Sequence, residues 1–146
     1  MNLSFKEKGL IASLIVTLLV FGNYFINVFQ RLRTDSAGDT GLVGIIIVIV
    51  LVIILEATIH GFLSIQAEEE DERDKLIEKV SYRNAYWCLN IGVWFLIVQV
   101  FLDSRFMPLA GLTTTPYGLA NLLLFSFIVA EVVMFITQLY YYRKGI

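Results

Sequence analysis

The sequence predicts an all-α membrane protein, a four-helix transmembrane bundle, and two observations lead to that prediction. Of the 146 residues, 58% are hydrophobic and only 16% are charged, whereas soluble domains carry about 25% charged residues. The charges are also unevenly distributed, which leaves four apolar segments long enough to cross a bilayer. A soluble core of this size could not bury so many apolar side chains.

The four apolar segments run over residues 9–29, 42–63, 84–102 and 118–139. Each length suits a helix that rises ~1.5 Å per residue across a hydrocarbon core of roughly 30 Å. The second segment is rich in β-branched residues, which in water favour a buried strand, but a lone strand in lipid would leave its backbone groups unpaired. Helix is therefore predicted for all four segments, within a single membrane domain over residues 1–146.

The placement of basic residues predicts the orientation of the chain. Eight of the 11 Lys and Arg residues lie in the N-terminal tail, the 64–83 loop and the C-terminal tail. The 30–41 and 103–117 loops hold the other three. Because cytoplasmic loops carry an excess of Lys and Arg, both termini and the 64–83 loop are predicted to be cytoplasmic.

The 64–83 loop is predicted to form a helical acidic hairpin between spans 2 and 3. Residues 66–83 contain no Gly or Pro, so helix is expected to enter the loop from both sides. Asp71 can cap the start of the third helix, with Asp74 in the capping-box position. From there the helix is expected to run unbroken into the third span. Its residues Leu76, Val80, Arg83 and Trp87 recur at spacings of 4, 3 and 4 and share one face.

Two interpretations of this loop stay open. Between Glu68 and Lys79 there are seven acids and three bases. Such a run is typical of a solvated hairpin, and it would equally form a docking surface for a basic cytoplasmic protein. The candidate partner-binding residues are Glu68, Glu69, Glu70, Asp71, Glu72, Arg73 and Asp74.

A short motif in this loop resembles a known family. The sequence DERDKLIEK at 71–79, followed by RNAY at 83–86, is similar to small bacterial four-span membrane proteins of the domain-of-unknown-function 2178 group. The resemblance implies a multi-pass protein of the bacterial inner (cytoplasmic) membrane. It also implies a cytoplasmic partner, a small helix-turn-helix regulator, because genes of such regulators often neighbour those of the family. The family has no established activity. Residues 71–74 therefore match the family as a sequence motif and are not assigned as a functional site by the resemblance.

Polar residues within the apolar segments form a second candidate site. Thr17, Glu56, Asn90 and Glu131 come from four different spans and lie roughly 9–12 Å inside the predicted cytoplasmic boundary, with His60 one turn nearer the cytoplasm. Buried polar groups of this kind are costly and usually have a role. The alternative roles for this layer are interhelical hydrogen bonding, a proton or cation pathway, a metal site and a small-ligand sensor.

Several classes of function are excluded by what the sequence lacks. One Cys and one His cannot form an intrachain disulfide or a Cys/His zinc cluster. A net charge of −2 gives no basic surface for direct nucleic-acid binding. No nucleophile–base set or phosphate-binding glycine loop is present, so no enzyme activity, cofactor or metal is assigned.

The sequence therefore predicts an integral membrane regulatory or interaction protein whose partners are the lipid bilayer and a basic cytoplasmic protein. The alternative is a small transporter or an ion- or proton-conducting subunit that uses the intramembrane carboxylates. Ala57 and Gly61 form a small-xxx-small pair. Such a pair permits close packing within the bundle or between two copies of a homodimer.

Overall fold

The computed structural model describes residues 5–33, 41–64, 71–102 and 115–144, and these residues form four α-helices. In chain order they are α1 (Phe5–Arg33), α2 (Gly41–Ser64), α3 (Glu72–Phe101) and α4 (Pro116–Lys144). The prediction of an all-α fold is confirmed for these residues. Each helix contains its predicted apolar segment, except that Leu102 is the C-cap of α3 rather than its last residue.

Three of the helices are long and apolar enough to cross a membrane. They are α1 over Lys6–Val28, α3 and α4. Within α2 the apolar stretch with described side chains is shorter, Val43–Leu55. The protein is therefore a helical membrane protein by the length and composition of these helices.

The start of α3 is set by local hydrogen bonds, as predicted. Asp71 is the N-cap in an extended conformation, and its carboxylate accepts a hydrogen bond of 2.7 Å from the Glu72 backbone N–H. Its backbone carbonyl accepts from the Asp74 N–H at 3.0 Å. In return the Asp74 carboxylate accepts from the Asp71 backbone N–H, which is the reciprocal half of a capping box.

Helices α1 and α4 lie at the centre of the packing, and α2 and α3 pack against them. Helix α4 contacts α3 most extensively, packs against α1 and also touches α2, while α1 packs against α2. Among the described residues, α3 thus has its main interface with α4, and α2 lies on the α1 side. Among these residues, the side chains on one face of α3 are exposed.

The core between α1, α2 and α4 is aromatic. Phe21 and Phe25 of α1 pack with Val52 of α2, and the ring of Phe25 meets Phe125 of α4 edge-on at 5.2 Å. Towards the α4 N-terminus, Asn121 accepts a hydrogen bond of 2.7 Å from Tyr24. These contacts join the C-terminal half of α1 to the N-terminal half of α4, as expected for antiparallel neighbours.

The interface between α3 and α4 depends on small and polar residues. A Cβ at Gly92 would lie only 3.0 Å from the Cβ of Ser126, so glycine permits a close approach of the two helices at this point. Nearer the α3 N-terminus, the Gln138 amide donates to the Ser81 hydroxyl at 3.0 Å, and that hydroxyl donates to the Glu78 carbonyl at 2.7 Å. Close backbone contact with interhelical hydrogen bonds is how helices associate within membranes.

Candidate functional site

Three helix ends meet at one carboxylate. The Nζ atom of Lys6, near the start of α1, lies 2.6 Å from Oδ2 of Asp74 in the first turn of α3. The hydroxyl of Tyr142, near the end of α4, also donates a hydrogen bond to this carboxylate. We call Lys6, Asp74 and Tyr142 the anchor cluster. It lies outside the apolar segments, since Asp74 precedes Asn84 by ten residues.

The anchor cluster favours an ionised Asp74 and a protonated Tyr142. Partial burial alone raises the pKa of Asp74. The hydrogen bonds from Lys6 and Tyr142, the charge of Lys6 and the Asp71 N–H outweigh burial and lower that pKa below its ordinary value. The pKa of Tyr142 is raised, first by burial and then by its bond to Asp74 and the charge of that carboxylate. The phenol therefore stays a donor at neutral pH.

The anchor cluster places the starts of α1 and α3 and the end of α4 at the same end of the protein. This agrees with the predicted arrangement, in which the N-terminal tail, the 64–83 loop and the C-terminal tail share one side. That end also carries the eight basic residues on which the predicted orientation rests.

The predicted docking surface is described in part. Asp71, Glu72 and Arg73 are exposed at the start of α3, while Asp74 is partly buried in the anchor cluster. Glu68, Glu69 and Glu70 lie outside the described residues. Acids and bases are equal in number over 71–83, so the acidic excess of the loop comes from those three glutamates.

Two members of the predicted polar layer lie inside the bundle. Thr17 is fully buried on α1, and Glu131 is half-buried on α4. Measured along the helices from the Phe25–Phe125 contact, Thr17 is about 12 Å and Glu131 about 9 Å towards the anchor cluster. The two residues thus lie at similar depths along their helices.

The other members of the layer are arranged differently. Asn90 is at a similar depth, but it lies about 160° around α3 from Gly92, away from α4. Its amide donates to the Tyr86 carbonyl of the same helix at 3.0 Å. The backbones of Glu56 and His60 belong to α2, and their side chains lie outside the described part of the chain, so the complete layer stays a prediction.

Several of these residues could not be recognised from the sequence. Lys6 and Tyr142 were not singled out, because nothing local marks a lysine or a tyrosine as the partner of Asp74. On α1, the residues Gly9, Ser13 and Thr17 are buried at every fourth position, a repeat of small residues that could have been recognised. The hydroxyl of Ser13 is fully buried and has no hydrogen-bond partner in the described structure.

Within the described residues, no group of three or more His, Cys, Asp and Glu side chains is arranged to hold a metal ion. Comparison of the chain with protein-family models, with curated proteins and with solved structures finds no match. The resemblance to the domain-of-unknown-function 2178 group therefore stays a prediction from its motif.

Proposed function

We propose that this protein is a multi-pass regulatory or interaction protein of the inner membrane, with four spans and both termini in the cytoplasm. Its working surface is the start of α3 together with the preceding acidic residues Glu68–Glu70. The observation that supports this most is the anchor cluster, because it ties the charged start of α3 to α1 and α4. The described part of this surface, the start of α3, is held against the membrane bundle by these contacts.

The length of α3 supports a coupling role. Its 30 residues extend about 45 Å as one continuous helix, from the charged N-terminus to the far end of its apolar segment. Helices α1 and α4 both reach the first turn of α3 through Asp74. A shift of any of these helices would therefore move the exposed charges that a partner binds.

The chemistry of the loop indicates a basic partner. Glu68–Glu70 give the segment its negative field, which attracts a positively charged protein and accelerates its binding. A small DNA-binding regulator of the helix-turn-helix class has the required charge, and the family resemblance implies the same partner. The membrane protein itself would not contact nucleic acid.

Capture of a basic cytoplasmic protein tests this proposal. Full-length protein in detergent is incubated with lysate at low salt, beside a variant with Glu68, Glu69 and Glu70 changed to Gln. We expect the wild type to retain a basic protein on the order of tenfold better than the triple variant. Added salt should reduce this retention, because it screens the charges.

A matched control changes two acids in a different loop of the sequence. Asp35→Asn with Asp39→Asn removes carboxylates from the 34–40 loop, and this double variant should retain the partner as the wild type does. Equal retention by the wild type and the triple-Gln variant at low salt would show that the acidic run is a solvated hairpin without a docking role.

The transporter alternative has one observation in its favour. Ser13 and Thr17 are fully buried on α1, and Glu131 lies close to the depth of Thr17. These polar groups could line a proton or cation path from the anchor-cluster end into the bundle. Substitution of Glu131 separates this alternative from the regulatory proposal.

A further inference from the structure

The face of α3 that points away from α4 carries a regular pattern. Its members, which we call the α3 seam, recur at alternating spacings of four and three residues: Leu76, Val80, Arg83, Trp87, Asn90, Trp94, Ile97 and Phe101. Helix α4 packs instead on Ile77, Ser81 and Leu96, which are buried. In the seam, Trp87 is 62% exposed, Trp94 65% and Phe101 83%. Alternation of four and three is the spacing of helices that pack side by side along their length.

A polar side chain lies within the part of this seam that belongs to the apolar segment. Asn90 is six residues, about 9 Å, inside the apolar segment that begins at Asn84. In the described structure its one hydrogen bond is the intrahelical bond to Tyr86, so the side-chain carbonyl and one amide hydrogen are left without a partner. Lipid tails offer no hydrogen bonds, and an unsatisfied amide in hydrocarbon is costly.

We propose that a second copy of this chain covers the α3 seam in a parallel dimer, with Asn90 bonded to the same residue of the other copy. The asparagine amide is self-complementary because it both donates and accepts. Two copies inserted in the same orientation place Asn90 at the same depth, so a two-fold axis normal to the membrane brings the two amides together.

The remainder of the seam is compatible with this arrangement. Trp94 and Ile97 provide broad apolar contact on one side of Asn90, and Trp87 does so on the other. Arg83 lies one residue before the apolar segment, where its long side chain can extend to water and avoid the other copy's charge. By contrast, the exposed described side chains of α2 between Val43 and Ile54 are aliphatic, and lipid alone can cover them.

Cysteine cross-linking tests the geometry of the dimer. The full-length protein, with Cys88 replaced by Ala, carries a single cysteine at Ile97 in the seam or at Val100. Both positions are exposed and at similar depth, and Val100 lies about 60° around the helix from Ile97, outside the seam. In lipid vesicles under mild oxidation, we expect a disulfide-linked dimer with Ile97→Cys and little with Val100→Cys. Equal cross-linking at both positions would contradict the proposed seam.

Energy transfer between labelled copies tests the role of Asn90. We expect Asn90→Leu to weaken dimerisation in vesicles on the order of tenfold, as the loss of an intramembrane amide pair should. Asn90→Gln should largely restore dimerisation. The control Asn27→Leu changes an exposed asparagine near the C-terminal end of α1, and this variant should match the wild type. Unchanged transfer with Asn90→Leu, or a wild type without transfer at any protein density, would overturn the proposal.

Discussion

Replacing Asp74 with alanine is expected to lower the free energy of unfolding by about 1.5–3 kcal/mol, the usual range for a hydrogen bond to a charged group. The change removes the acceptor shared by Lys6, Tyr142 and the Asp71 N–H. The Asp74 side chain is only 20% exposed and that of Lys6 31%, so solvent screens this pair less than a surface pair. Unfolding of the purified protein in detergent, followed by circular dichroism, measures the loss.

Glu72→Gln is the matched control for this variant. It neutralises the exposed carboxylate two residues earlier in the same helical turn, and it should change stability by less than about 0.5 kcal/mol. If Asp74→Ala were as stable as Glu72→Gln, the anchor cluster would not hold the three helix ends together.

The advantage of wild type over Asp74→Asn should depend on pH. Because the folded state lowers the pKa of Asp74, the carboxylate stabilises the fold above its unfolded pKa of about 3.9. That stabilisation is lost as the pH falls through the folded pKa. The stability difference should therefore be full at pH 7 and shrink in acid. A difference that does not change with pH would assign the effect to side-chain shape instead of charge.

Glu131→Leu is expected to lower stability by roughly 1 kcal/mol, since it removes an intramembrane hydrogen-bonding group from a half-buried position. Glu131→Gln keeps the size and the hydrogen bonding of the side chain and should stay close to the wild type. Thermal unfolding of the three proteins in the same detergent measures both effects.

The same variants separate regulation from transport. A regulatory protein should show no proton or cation flux that depends on Glu131 when it is reconstituted in vesicles with a pH-sensitive dye. A wild-type flux that Glu131→Gln abolishes, with stability retained, would favour the transporter alternative over the proposed function.

What the sequence could predict depended on local interactions. The cap at Asp71 and the unbroken helix that follows it were predictable, because the residues concerned are adjacent in the chain. The four helices were predictable because a long apolar segment must satisfy its own backbone hydrogen bonds in lipid. The depth of Thr17 and Glu131 followed from the fixed rise of a helix.

The rotation of the helices and their long-range partners were not predictable. Lys6 and Asp74 are separated by 68 positions, and nothing local to either residue indicates the pair. In a soluble protein the aromatic face of α3 would be its buried face. In lipid, apolar side chains can point outwards, and the small residues Ser81 and Gly92 determine which face meets α4. For this reason the depth of Asn90 could be inferred from the sequence, but its direction could not.

Cysteine accessibility tests most directly the claim that the starts of α1 and α3 and the end of α4 are cytoplasmic. Single cysteines at Thr115, Glu72 and Lys144, all exposed positions, are introduced into a chain with Cys88 replaced by Ser. An impermeant thiol reagent added to intact cells should label the cysteine at 115 and should reach those at 72 and 144 only after the membrane is opened. Labelling at 72 and 144 in intact cells, with protection at 115, would contradict the proposed orientation and the cytoplasmic docking surface with it.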